Sequence, residues 1–155
     1  MAIRNVVKEG DDVLRKKARP VIEFNKRLHD LLDDMAETMY ATNGVGLAAN
    51  QVGILRRVVV IDIGEGLIEL VNPEIVKKSG NQQEVEGCLS SPGEYGITDR
   101  PMKVKVEAFD RFGNEVTYEG EGLLARAFCH ELDHLDGILF KDNAIRMLAP
   151  DEIQN

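Results

Sequence analysis

Cys129-His130-Glu131-Leu132-Asp133-His134-Leu135-Asp136-Gly137 is the stretch from which the fold of this chain is read. Ala125, Ala127 and Phe128 precede it, so with Leu132 and Leu135 the segment Gly122 to Asp136 predicts a helix with almost no polar face, closed by Gly137. Two histidines on such a helix are half buried, and buried polar rings need partners. Positions i and i+4 lie about 40° apart and one turn along the axis, so both imidazoles reach one point. His130 and His134 have that spacing. Glu131 sits beside the same point, where its carboxylate can take a proton from a metal-bound water. A Zn²⁺-like ion brings the pKa of its water to about 7. A solvated helix face carrying two histidines is the competing reading, and the apolar neighbours argue against it.

Outward from this helix the pattern turns to strands. Arg57 to Ile63 carries four β-branched residues in a row and reads as a buried strand, with Leu67 to Val71 returning beside it. Pro73 interrupts, and Glu74 to Lys78 follows as a weak strand. Lys103 to Phe109 alternates cleanly, and a turn at Arg111 to Asn114 leads into Val116 to Tyr118. Nearer the start, Lys26 to Thr42 is a helix. Its buried stripe is Leu28, Leu31, Leu32, Met35, Met39 and Tyr40, Asn25 is its N-cap, and Asn43-Gly44 ends it. Asp11 to Lys17 forms a short helical patch, and the tail after Phe140 is weak. Helix, strands, helix predicts an α+β fold with antiparallel strands packed around the C-terminal helix, as one domain over residues 1–155.

The composition excludes other classes. The chain is 43% hydrophobic and 30% charged, which fits a globular domain and not a disordered one. A net charge of −8 disfavours direct nucleic-acid binding, which needs a basic surface. The longest apolar run, Val58 to Ile61, is far short of the ~20 residues that span a bilayer, and the first residues carry no export signal, so no membrane association is expected and a cytoplasmic location is. Cys88 and Cys129 are accordingly expected reduced.

A catalytic metal needs a third protein ligand. The extended HExxHxxGxxH pattern is followed as far as Gly137 and then meets Phe140. The only later glutamate is Glu152, in the tail, and His29 falls on the exposed side of the first helix. Cys88, in a loop after a short strand, is the best remaining candidate. A buried structural cysteine is the competing reading of the same residue. Cys129 points about 100° away from His130 around the helix and reads as core.

Three segments together resemble the peptide deformylases: Gly44-Val45-Gly46-Leu47-Ala48-Ala49-Asn50-Gln51, Glu86-Gly87-Cys88-Leu89-Ser90 and His130-Glu131-Leu132-Asp133-His134. The likeness runs from about Asp11 to Phe140. It implies Cys88, His130 and His134 as ligands of one divalent metal, Fe²⁺ in cells with Zn²⁺, Ni²⁺ or Co²⁺ as substitutes. It implies hydrolysis of the N-terminal formyl group from formyl-methionine of nascent polypeptides, releasing formate. In that reading Glu131 is general base and then acid, and Gln51 with the backbone N–H of Leu89 stabilises the oxyanion. Val45, Gly46, Leu89, Leu123, Ala127 and His130 are the expected wall of the methionine pocket, with plain core packing as the alternative. Glu86 or Asp133 is expected to accept a ligand histidine's N–H, with Arg100 pairing a carboxylate.

The sequence departs from the family's commoner pattern in places. Cys129 stands where glutamine is frequent and offers an oxidisable thiol near the metal. Ser91 replaces a β-branched apolar residue at the pocket rim, and Asn50 a threonine. The 15 residues after Phe140 are too short for the long C-terminal helix of some members, so transient ribosome proximity is expected without that contact. Two competitors remain at this level: an internal-bond metallopeptidase and a non-enzymatic zinc module. Glu131 separates the last, since a closed structural site has no work for it.

Overall fold

A computed structural model describes residues 2–153. Met1, Gln154 and Asn155 of the expected 1–155 domain lie outside the described residues. The chain folds as α+β. Helix α1 spans Lys26–Ala41, and strands β1 to β7 span Gly46–Ala48, Val58–Ile61, Ile68–Ser79, Gln82–Cys88, Ser91–Arg100, Lys103–Phe109 and Glu115–Glu121. Helix α2 (Leu123–Leu135), the single turn α3 (Phe140–Asn143) and β8 (Ala144–Met147) complete it. Both sheets are antiparallel, ordered β1-β2-β3-β6-β7 and β4-β5-β8.

The unbroken apolar run of β2 has a packing reason. Val59 and Ile61 join Leu70, Val104 and Val106 in a core against Phe128, Leu132 and Leu135 of α2. Val58 and Val60 point the other way, into a second core with Leu28, Leu32 and Met35 of α1. All four β2 residues are fully buried. A strand covered on both faces has no position for a polar residue. Each such side chain contributes about 1.5–3 kcal/mol by leaving water.

The structure corrects four expectations. Pro73 does not divide its region into two strands. β3 runs through it, and a register shift between Val71 and Glu74 absorbs the proline. Asn72 takes a positive φ of 51° there, and its side-chain amide bonds both the N–H and the C=O of Val21, at 2.7 and 2.9 Å. Tyr40 is not in the buried stripe of α1. It is half exposed and its hydroxyl donates to Asp62 at 2.6 Å. Cys88 closes strand β4, paired with β5, and not a loop. The tail is not featureless, because β8 adds an edge strand to β5. The remaining boundaries agree closely with the periodicities, including Asn25, whose side chain accepts the N–H of Leu28.

Candidate metal centre

Two routes through the fold bring the site together. α2 packs across the large sheet and presents His130, Glu131 and His134, all buried. The β4–β5 hairpin brings Cys88 to meet them at the end of β4. Sγ of Cys88 lies 3.3 Å from Nε2 of His134, which lies 3.3 Å from Nε2 of His130. All three donor atoms fall within 4.8 Å of one another. Cys129 points away into the α2 core. It is core, as its place on the helix predicts, and burial pushes its thiol up to about 11, which works against the oxidisable role that the departure from the family pattern suggested.

The orientation of His130 is set from behind. Its Nδ1 lies 2.9 Å from Oε1 of Glu86. Glu86 in turn holds Arg100 by two parallel bonds, from Nε at 3.0 Å and a terminal nitrogen at 2.9 Å. Thr98 donates its hydroxyl to the same carboxylate. Arg100 also donates to Asp133 at 2.7 Å. Of the two carboxylates considered from sequence, Glu86 takes the histidine and Arg100 pairs with both. A carboxylate ionised at Glu86 requires the proton on Nδ1, which leaves the Nε2 lone pair facing Cys88 and His134. Burial opposes ionisation of Glu86, but the bonds from His130 and Arg100 outweigh it and hold its pKa down at about 2.

The donor set fits a divalent cation. Burial works against charge on His130, yet Glu131, Cys88 and Glu86 draw its pKa well above the ordinary value. Burial and the charge of His130 push His134 well below it. Two imidazole nitrogens and a thiol suit zinc or iron(II).

Two buried polar atoms of the centre have no hydrogen-bond partner among the described residues, Nδ1 of His134 and Oε1 of Glu131. Burial, against the pull of His130, raises the Glu131 carboxyl to about 7, near the value suited to passing a proton at neutrality. Gly46 leaves room for it: a Cβ there would stand 2.6 Å from Oε2 and 2.8 Å from Cγ of Glu131. Gly46→Ala should therefore displace the carboxylate. We expect a fall of about a hundredfold in turnover with metal content retained, read from steady-state kinetics beside metal analysis.

Gln51 sits in the 3₁₀ turn Ala49–Val52, directly after β1. Its Oε1 accepts the N–H of Ala48 at 3.0 Å, which aims the NH₂ group at Ser90 Oγ (3.2 Å) and Cys88 Sγ (3.5 Å). Val45, Gly46, Leu89, Leu123 and Ala127 line one open cavity of about 500 Å³ with Gln51, His130 and Glu131. Cys88 and Glu86 line the same cavity, His134 stands beside His130 and Cys88, and Arg100 ties Asp133 to Glu86 behind them. His29 stands apart, half buried, with Nε2 2.8 Å from the carbonyl of Arg111. Sequence reasoning missed Thr98 and the anchoring role of Ser90. Thr98 carried a signal in Gly96, Thr98 and Arg100, which alternate inward along β5, but Ser91-Pro92-Gly93 before them are residues that favour turns.

A buried histidine pair, a thiol and a poised glutamate around one open cavity define the site of a metal-dependent hydrolase. Comparison with known proteins narrows the class. The family model described as polypeptide deformylase matches residues 3–149, and the chain belongs to that family. It is 62% identical over 152 residues to a peptide deformylase of Thermoanaerobacter pseudethanolicus, covering 98% of this chain and 96% of that one. It is likewise 62% identical over 154 residues to one from Caldanaerobacter subterraneus, covering 99% and 97%. The crystal structure of peptide deformylase from Thermotoga maritima superposes with a TM-score of 0.90 at 42% identity, covering 92% of this chain and 97% of that one. Among the described residues no helix is long and apolar enough to cross a membrane.

Proposed function

We propose that this chain, as a single catalytic domain over 1–155, removes the N-terminal formyl group from formyl-methionyl nascent peptides. The observation that carries the reading is the convergence of three metal-donor atoms, an unpartnered glutamate and an aimed amide on one cavity. Cys88, His130 and His134 would hold the ion, iron(II) in cells, with zinc, nickel or cobalt able to replace it. Such an ion supplies Lewis acidity, polarising a carbonyl and acidifying water.

The chain's own groups do the rest. Glu131 takes a proton from the attacking water as its oxygen bonds to the formyl carbon. It then hands that proton to the departing amine nitrogen as the C–N bond breaks, giving formate and a free amino terminus. The NH₂ group of Gln51 and the N–H of Leu89 donate to the oxygen on which charge develops. Val45, Gly46, Leu123 and Ala127 shelter the methionine side chain. Glu86, Arg100 and Asp133 keep His130 in the tautomer that leaves Nε2 free. A substrate of this kind places the protein in the cytoplasm, transiently near ribosomes.

The test is formate release from a short formyl-Met peptide by protein purified anaerobically, with Gln51→Ala and Cys88→Ser alongside. We expect turnover in the parent protein. Gln51→Ala should lower kcat by about 10²–10³ with KM little changed, the cost of one oxyanion donor. Cys88→Ser should lose metal and activity together. A protein that carries one equivalent of iron(II) and releases no formate would sink the substrate assignment.

A further inference from the structure

Away from the metal centre, a groove of about 720 Å³ is lined by Arg4, Arg19, Arg27 and Arg56 with Ile22 and Glu23. This is a concentrated cationic site in a chain whose net charge is −8. Arg4 is neutralised by Asp34, at 2.8 Å. Arg19, Arg27 and Arg56 pair with no carboxylate among the described residues, while the other ion pairs of the protein hold arginines such as Arg15, Arg57 and Arg111. Glu23 is the one carboxylate lining the groove among the described residues, and it accepts instead from Asn25 at 3.2 Å.

Two of the arginines are held together by the backbone. Arg19 and Arg56 are partners in a parallel β-bridge. Arg19 donates its N–H to Leu55 O at 3.0 Å, and Arg57 donates to Arg19 O at 2.9 Å. Arginine side chains that leave the chain at bridge partners bring like charges near each other, and an anion between them lowers that cost. Guanidinium forks match phosphate oxygens two bonds at a time. Three uncommitted forks around one groove exceed what a single phosphate needs.

We propose that this groove binds an anion carrying two or more adjacent phosphate groups. The same chemistry is offered by a free oligophosphate and by an RNA backbone, and the test separates them. Metal-loaded protein is titrated with tripolyphosphate by calorimetry and with a short labelled single-stranded RNA by fluorescence anisotropy. The set is repeated with the Arg19→Gln/Arg56→Gln double variant, and with Lys103→Gln/Lys105→Gln as a control on the sheet. We expect saturable binding of at least one probe, weakened about tenfold or more by the arginine variant and unchanged by the lysine variant. It should also weaken between about 50 and about 200 mM salt. Tripolyphosphate binding alone assigns a free anion, and RNA binding alone assigns a nucleic-acid backbone. Both double variants lie away from the metal centre and should keep their deformylation rate, which shows them folded. No saturable binding of either probe, or equal binding by the arginine variant, overturns the proposal.

Discussion

Glu131→Gln should bind metal as the parent protein does and turn over formyl-Met peptide about 10³–10⁴ times more slowly, toward the upper end of what one general acid–base group contributes. The substitution keeps the shape of the side chain but leaves no group able to carry a proton from water to the leaving amine. The carboxylate is free for that work, because its Oε1 has no protein partner and the neighbouring glycine gives it space. Metal content must be measured on the same preparation. Unchanged turnover would mean that Glu131 does not carry the proton, and lost metal would make Glu131 a ligand instead of a base.

The second large effect is on stability. Arg100→Ala should destabilise the fold by about 3–5 kcal/mol, since removing one partner leaves an uncompensated buried charge. Arg100 and Glu86 are 6% and 8% exposed, so little solvent screens the pair. Thr98 and His130 remain on Glu86 and soften the loss without cancelling it. Urea unfolding with saturating metal and with chelator separates the direct cost from lost metal affinity. A double-mutant cycle with Glu86→Ala isolates the coupling. A loss under about 1 kcal/mol would mean the pair behaves as a surface ion pair.

Much of the site was legible because its chemistry is local. The i, i+4 spacing on α2 holds in any context that keeps the helix, and the alternation of β6 and the cap at Asn25 are equally short-range. Cys88 was legible as a residue type but not as a ligand from spacing alone, because it stands 42 positions before His130. β5 escaped because its start is rich in residues that favour turns. Its ladder with β4 comes from pairing across the hairpin, which propensity does not register. Tyr40 falls on the apolar spacing of α1, yet one turn end at the surface lets its hydroxyl reach Asp62.

The sequence by itself determined the two helices, the central apolar strand, the α+β class and the residue types able to bind a metal and move a proton. These depend on periodicity and on side-chain chemistry, which are properties of neighbours in the chain. Only the tertiary structure decided which carboxylate supports His130, that Arg100 bridges Glu86 and Asp133, and that Gln51 is aimed by Ala48 toward Cys88. It also decided that Gly46 makes the space Glu131 occupies. Those are contacts between segments far apart in sequence, set by how the hairpin and α2 close over the sheet.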